Sequence, residues 1–400
     1  MEYSPTNWEI ADIPIRYPLE KQEPINTCPE RSCLPIGPAE SNNHNGRTGL
    51  SLTVDGEDWQ QQLQLLPMEL ALYSKDLSQR PVDQVWLKGG ELHRLSPADL
   101  TLLCYQISSA LKHQSSNIVY GFEIDHRQIT ADRLALLQGL HFNRLRIHFG
   151  NTPELCNGGW MRRVDTTLSL LDNAGFDQVE CQVKLTEFTD IEALNRLLLS
   201  LQLYNPQQIE LIGSVREKSG KISPQTTKAY LNILKRAQQR GYQVLGNQIL
   251  IPAGSKLKQL YDKHQLHFTP WGYCATDLTA WFGLGLSATG HTGAFYYRNC
   301  SNLRCYRDKL SSGYLPYQWR HLIGEQQTVD QALVQSLLCY GQVNNDLLEA
   351  LPANSKQQAD RAIARACERL WLESNTNQWQ LTATGRTNLQ ALLHDLQLAP

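Results

Sequence analysis

Residues 121–150 read GFEIDHRQITADRLALLQGLHFNRLRIHFG. Two short apolar runs, FEI at 122–124 and LRI at 145–147, flank an amphipathic stretch that Thr130 is placed to cap. The spacing predicts a strand, a helix and a second strand. The same rhythm recurs on both sides. LSLTV (50–54), VDQVWL (82–87), NIVYGFEI (117–124), NRLRIHF (143–149), QVECQVKL (178–185) and QQIELIG (207–213) read as strands. Between them lie helical stretches: EDWQQQLQLLPMELALYSKDL, then SPADLTLLCYQISSALK with Ser96 as N-cap and Pro97 at its first position. MRRVDTTLSLLDNAG ends on Gly175, DIEALNRLLLSLQL follows, and SPQTTKAYLNILKRAQQRG ends on Gly241. YQVLGNQILI (242–251) reads as one further extended segment. Strands alternating with helices imply βαβ units and a parallel sheet. Periodicity alone leaves a doubly wound open sheet and an incomplete barrel equally open.

The chain has 400 residues, enough for one large domain and an appended one. With 41% apolar and 19% charged residues and a net charge of −2, it has the composition of a globular protein and no global charge that would favour nucleic acid. No run of about 18 apolar residues is present, so a membrane span is not expected. MEYSPTNWEIADIPIRYPLE lacks an apolar core, so it is not read as a signal peptide, and a cytoplasmic protein is the expectation. The ten cysteines then read as reduced thiols.

The expected organisation is an N-terminal arm over 1–48, a βα region over 49–255, an aromatic and glycine-rich segment over 256–325 and a C-terminal unit over 326–400. That last unit reads as helices plus a short hairpin near LWLESNTNQWQLTATGR, a winged-helix-like pattern.

VDQVWLKGGELHRLSPADL, the 121–150 stretch, GYQVLGNQILIP, GYCATDLTAWFGLGLSATG, SGYLP and LTATGR together resemble the oxygen-independent coproporphyrinogen III oxidases. These are radical S-adenosylmethionine (SAM) enzymes, and the likeness spans roughly residues 45–390. It implies a partial (β/α)6 barrel of the radical-SAM type, with the cofactor at the C-terminal ends of the strands, followed by a helical, winged-helix-like domain. On the same ground Gly89, Gly90 and Glu123 are what is left of a SAM pocket.

The departures point away from radical chemistry. The family carries three cysteines, CxxxCxxC, after its first strand, holding a [4Fe–4S] cluster. Here that loop reads DGEDWQQQLQLLPMEL, with neither cysteine nor histidine. The turn after strand two has Lys88 for the family's first glycine and Glu91-Leu92 for its Thr-Pro. After strand five, Gln182 and TEF stand where an acid and a Gly-Leu-Pro turn are expected. Cluster and SAM are therefore expected to be lost, leaving Glu123 as a remnant satisfied by its neighbours, and a pseudoenzyme is the leading expectation.

Other candidates were weighed. TCPERSC (27–33) offers Cys28 and Cys33 as haem or metal ligands. NCSNLRC (299–305) lacks further ligands and reads as ordinary thiols. GLGLSATGHTG lacks phosphate-loop spacing, and its glycines read as close backbone packing. Trp271, Tyr273, Trp281 and His291 are candidates to line a porphyrin-sized pocket. Arg361, Arg365 and Arg369 share one helix face, interrupted by Asp360 and Glu368, and read as a solvated face rather than a nucleic-acid reader. The functional expectation is a protein that binds haem or a porphyrin, or that assists an enzyme of that pathway as a protein partner. The alternatives are an active oxidase with unrecognised ligands and a winged-helix nucleic-acid-binding regulator.

Overall fold

A computed structural model of the chain describes residues 46–111, 118–149, 158–185, 191–213, 224–246, 249–323, 325–375 and 378–396. Cys28 and Cys33 lie outside these residues.

The first half alternates as its sequence period requires. In order come β1 (Arg47–Thr53), α1 (Trp59–Leu72), α2 (Ser74–Gln79), β2 (Val82–Lys88), α3 (Pro97–Ala110), β3 (Val119–Asp125), α4 (Ala131–Gly139), β4 (Arg144–Phe149), α5 (Gly158–Ala174), β5 (Gln178–Leu185), α6 (Ile191–Tyr204), β6 (Gln208–Gly213) and α7 (Pro224–Gln239). Strands β1 to β6 pair in parallel, each with the next. The start of α3 is fixed as its residues predict. The Ser96 side chain accepts from the Asp99 N–H at 3.1 Å while Asp99 reaches back to Ser96, with Pro97 inside the first turn. Such a reciprocal cap contributes about 1 kcal/mol. Thr130 caps α4 by a one-way bond, accepting from the Arg133 N–H at 3.2 Å.

The stretch 242–251 corrects the single extended segment expected. It is a hairpin of β7 (Tyr242–Leu245) and β8 (Ile249–Pro252), with β8 antiparallel to β6. Gly246 supplies the positive φ of +52° at which the chain leaves β7. After α8 (Lys256–Asp262) come β9 (His267–Thr269), β10 (Gly272–Cys274), β11 (Leu278–Leu284), β12 (Thr289–His291), β13 (Phe295–Asn299), α9 (Leu303–Ser311) and β14 (Tyr317–Leu322). Strand β11 lies parallel to β1 on its free side, and β12 to β14 continue outward antiparallel. One curved twelve-stranded sheet results, in the order β14-β13-β12-β11-β1-β2-β3-β4-β5-β6-β8-β7. The remainder is α10 (Glu325–Tyr340), β15 (Gln342–Asn344), α11 (Asn345–Glu349), α12 (Ala353–Glu368), β16 (Leu372–Asn375), β17 (Gln378–Leu381), α13 (Ala383–Thr387) and α14 (Leu389–Asp395), with a small sheet ordered β15-β17-β16 around its own apolar cluster.

Side chains alternate across the parallel strands. Leu87, Phe122, Ile124, Leu145, Ile147, Val179, Val183, Ile209 and Leu211 join the helices in one large core. The positions between them carry Trp86, Glu123, Arg144, Arg146, Glu180, Gln182 and Glu210, which face the interior of the curved sheet. The inner wall is polar and the outer wall apolar.

Candidate functional site

In a barrel of this kind the C-terminal strand ends are where a site is expected, so the turns after β1 and β2 come first. They are zipped together. Val54 N–H donates to the Lys88 carbonyl at 2.9 Å, and Glu91 N–H to the Val54 carbonyl at 3.4 Å. Gly89 permits this approach. Its φ is +118°, and a Cβ there would lie 2.1 Å from the Val54 oxygen. From the α4 side, the Arg133 guanidinium donates to the carbonyls of Leu92 (3.0 Å) and Leu95 (3.1 Å). Beside this turn the loop after β1 presents Asp55, Glu57 and Asp58, the last two exposed. Asp55 Oδ1 accepts from the Gly56 N–H at 3.0 Å, and the Asp55 carbonyl accepts from the Gln62 amide. Carboxylates are hard oxygen donors, and an iron–sulfur cluster needs thiolates, so this donor set does not fit a cluster. Among the described residues no group of three or more His, Cys, Asp or Glu side chains is placed to hold a metal ion.

Glu123 extends inward from β3 into an ion network. Arg146 Nη1 donates to Glu123 Oε1 at 3.0 Å, and His148 Nε2 lies 3.7 Å from Glu123 Oε2. Arg146 also donates from Nε and Nη2 to Glu180 Oε2 at 3.0 and 2.9 Å, and from Nη2 to the Trp271 carbonyl. Arg144 pairs with the other Glu180 oxygen. Both guanidinium groups flank the Trp86 indole, at 4.9 Å for Arg144 and 4.8 Å for Arg146. Desolvated contacts of this kind are worth up to about 2 kcal/mol each. Farther round the wall, Gln182 Nε2 donates to Glu210 Oε2 at 2.7 Å.

The carboxylates titrate apart. Burial pushes Glu123 up, but the neighbouring His148 and the Arg146 charge outweigh it and hold the group down to about 2. Burial dominates at Glu210 and pushes it up to about 7, against the lowering effects of Arg146 and Gln182. Burial also works against the Arg146 charge, yet Glu180, Glu123 and Glu210 together raise its pKa. Glu123 is thus a fixed anion bound to a fixed cation.

Beside this network the interior also holds aromatic side chains. The turn between β9 and β10 enters it. Trp271 is 1% exposed, and a Cβ at Gly49 would sit 2.0 Å from its ring. Trp86 likewise lies across Gly121, where a Cβ would meet the indole at 2.5 Å. Trp281 packs against that cluster and meets His291 with the rings tilted by 37° and centroids 4.6 Å apart. His291 is buried, and burial first, then the Arg80 charge, lower its pKa to about 3, so the imidazole is neutral. Tyr273 belongs elsewhere. It packs with Ile249 and Leu266, and its hydroxyl donates to the Leu338 carbonyl at 2.6 Å. The four aromatic candidates therefore divide into two clusters, three near the barrel interior and Tyr273 against α10. Arg361, Arg365 and Arg369 are exposed on or just after α12, and Arg369 pairs with Asp395 at 3.2 Å. Close backbone packing explains Gly283 and Gly285, where a Cβ would lie 2.0 Å from the Thr289 oxygen and 2.3 Å from the Thr53 oxygen, while at Gly290 it would meet the Tyr297 ring at 2.2 Å.

The sequence singled out Glu123, Gly89 and Gly90 as candidates but not Trp86, Arg144, Arg146, His148, Glu180 or Glu210, which the fold places around Glu123 or along the same inner wall. The signal was present. RLRIHF, QVECQV and QIEL alternate polar with apolar residues, and charges repeated on one strand face require partners on that same face.

No protein-family model matches the chain. It is 21% identical over 344 residues to oxygen-independent coproporphyrinogen III oxidase of Helicobacter pylori strain 26695, covering 80% of this chain and 75% of the relative. The same enzyme of strain J99 is 20% identical over 354 residues, with equal coverage. Coproporphyrinogen III oxidase of Escherichia coli, a radical SAM enzyme, superimposes with a TM-score of 0.76 at 17% identity, covering 88% of this chain and 90% of that one. Among the described residues no helix is long and apolar enough to cross a membrane. The chain resembles the oxygen-independent coproporphyrinogen III oxidases in sequence and has the partial-barrel fold of the Escherichia coli enzyme.

Proposed function

We propose that this chain is a non-radical relative of the coproporphyrinogen III oxidases that binds a tetrapyrrole, either to hold it or to assist an enzyme acting on it. One observation carries the reading. Residues 54–81, from the end of β1 to the start of β2, contain carboxylates and no thiol or imidazole. The reductive cleavage of SAM needs an electron from a cluster, and this segment supplies no thiolate or imidazole to anchor one. The commitment of Glu123 to Arg146 supports the same reading, because an acid already neutralised by a buried guanidinium is a poor partner for an incoming cation or hydroxyl. The tetrapyrrole part rests on what the relatives act on.

Titration of the purified chain with coproporphyrin III and with haem, followed by Soret absorbance and tryptophan quenching, tests this. The expected result is saturable binding of at least one of them at stoichiometric concentration. Absence of any Soret shift or quenching with both would overturn it. Within the same reading Cys28, with Cys33, is the candidate ligand of haem iron, and Cys28→Ala is then expected to alter the haem spectrum while leaving metal-free porphyrin binding in place.

A further inference from the structure

Away from the barrel interior, the end of β13 and the first turn of α9 bring two thiols together. Cys300 directly follows β13 and is 2% exposed. Its backbone is clamped on both sides, since its N–H donates to the Pro316 carbonyl at 2.7 Å and its carbonyl accepts from the Ser287 N–H at 3.0 Å. Cys305 is the third residue of α9 and is exposed. It is held by the helix cap, its N–H donating to Asn302 Oδ1 at 3.1 Å. The two Sγ atoms lie 2.9 Å apart. With both backbones fixed and the sulfurs already adjacent, a bond between them requires little more than a small rotation of two side chains.

We propose that Cys300 and Cys305 form a reversible dithiol–disulfide pair, oxidised by exchange with a small disulfide, with exposed Cys305 as the attacking thiol and buried Cys300 as the resolving one. The asymmetry of exposure sets the order. Cys305 is reachable from solvent in the first turn of α9, whereas Cys300 is closed off. Its thiolate attacks one sulfur of the small disulfide, forming a mixed disulfide and releasing one small thiolate, which takes up the proton that Cys305 gave up. Cys300 then attacks Cys305 Sγ, the second small thiol leaves, and the Cys300 proton goes to it. Two electrons pass from the cysteine pair to the small disulfide, which ends as two thiols. Burial, then the hydrogen bond with Cys305, pushes the Cys300 thiol up to about 12, so it carries its proton until that step. The new bond fastens the first turn of α9 to β13, next to Tyr306, whose hydroxyl donates to buried Glu69 of α1. Nothing in this site depends on what the barrel binds.

Trypsin provides a direct reading, because it cuts after Arg298, Arg304 and Arg307 and separates NCSNLR (299–304) from CYR (305–307). The full chain is incubated with oxidised glutathione, quenched with N-ethylmaleimide, digested and analysed by mass spectrometry. The expected product is NCSNLR joined to CYR, two hydrogens lighter than the sum of the two, and lost on treatment with dithiothreitol. Exposed Cys305→Ser is expected to keep the fold and to leave Cys300 unmodified in the folded chain. Cys300→Ser is expected to stop the reaction at a stable glutathione adduct on Cys305. In the wild-type chain, a persistent glutathione adduct on Cys305, or both peptides recovered as separate maleimide adducts, would overturn the proposal.

Discussion

Replacing Arg146 by Met tests whether the ion network holds the barrel interior. Methionine keeps the length and removes the charge. The guanidinium is 4% exposed and serves Glu123, Glu180 and the Trp271 carbonyl together. Glu180 keeps Arg144, but Glu123 is left with His148 at 3.7 Å and the charge of Lys88. Breaking a buried pair by removing one partner costs about 3–5 kcal/mol. Arg146 acts together with His148 and Lys88 to hold Glu123 down to about 2, so its removal raises the Glu123 pKa by part of that displacement and makes the cost depend on pH. The sign is fixed by direction. A depressed carboxyl stabilises the fold above its unfolded pKa, so the full cost appears at neutral and alkaline pH and shrinks as acid protonates Glu123. Urea unfolding of R146M and wild type, followed by tryptophan fluorescence at pH 8 and at about pH 3, measures both. A loss below about 1 kcal/mol at pH 8, or an equal loss at both pH values, would refute the reasoning.

Two further outcomes follow from the same interior. Gly49→Ala places a methyl 2.0 Å from the Trp271 ring and is expected to cost about 1–3 kcal/mol or more, with a substantial part recovered in G49A/W271L; urea midpoints of the two variants check it. Glu210, pushed up to about 7 by burial, contributes stability that is complete below its unfolded value of 4.5 and is lost as pH rises through 7. Glu210→Gln keeps the hydrogen bond with Gln182 and should flatten that decline by up to about 3 kcal/mol between pH 5 and pH 8, a change read from unfolding curves across the range. Glu69 acts with the same sign and is left intact in this variant, so it contributes equally to both curves.

The parallel half of the fold was legible because its signals are local. The 3.6 and 2 periods, Ser96 and Thr130 as caps, and Gly175 and Gly241 at helix ends each act within a few residues. Strand β11 beside β1 was not legible, since parallel pairing between residues 47–52 and 278–284 has no local signature. The β7–β8 hairpin was missed although Gly246-Asn247-Gln248 separates two apolar runs, a turn signal that the reading as one extended segment passed over. At the site, Glu123 was found through the resemblance. Its partners were not, because Glu123, Arg146 and Glu180 become neighbours only through the register of β3, β4 and β5. The strand alternation announces that charges face inward, but only the register says which charge meets which.

The most direct test of the functional account is product analysis. The purified chain is incubated anaerobically with iron, sulfide and reductant, desalted, and given SAM and dithionite, and 5′-deoxyadenosine is quantified by chromatography. The account predicts none above the protein-free control. Turnover of SAM to 5′-deoxyadenosine by the chain would contradict it.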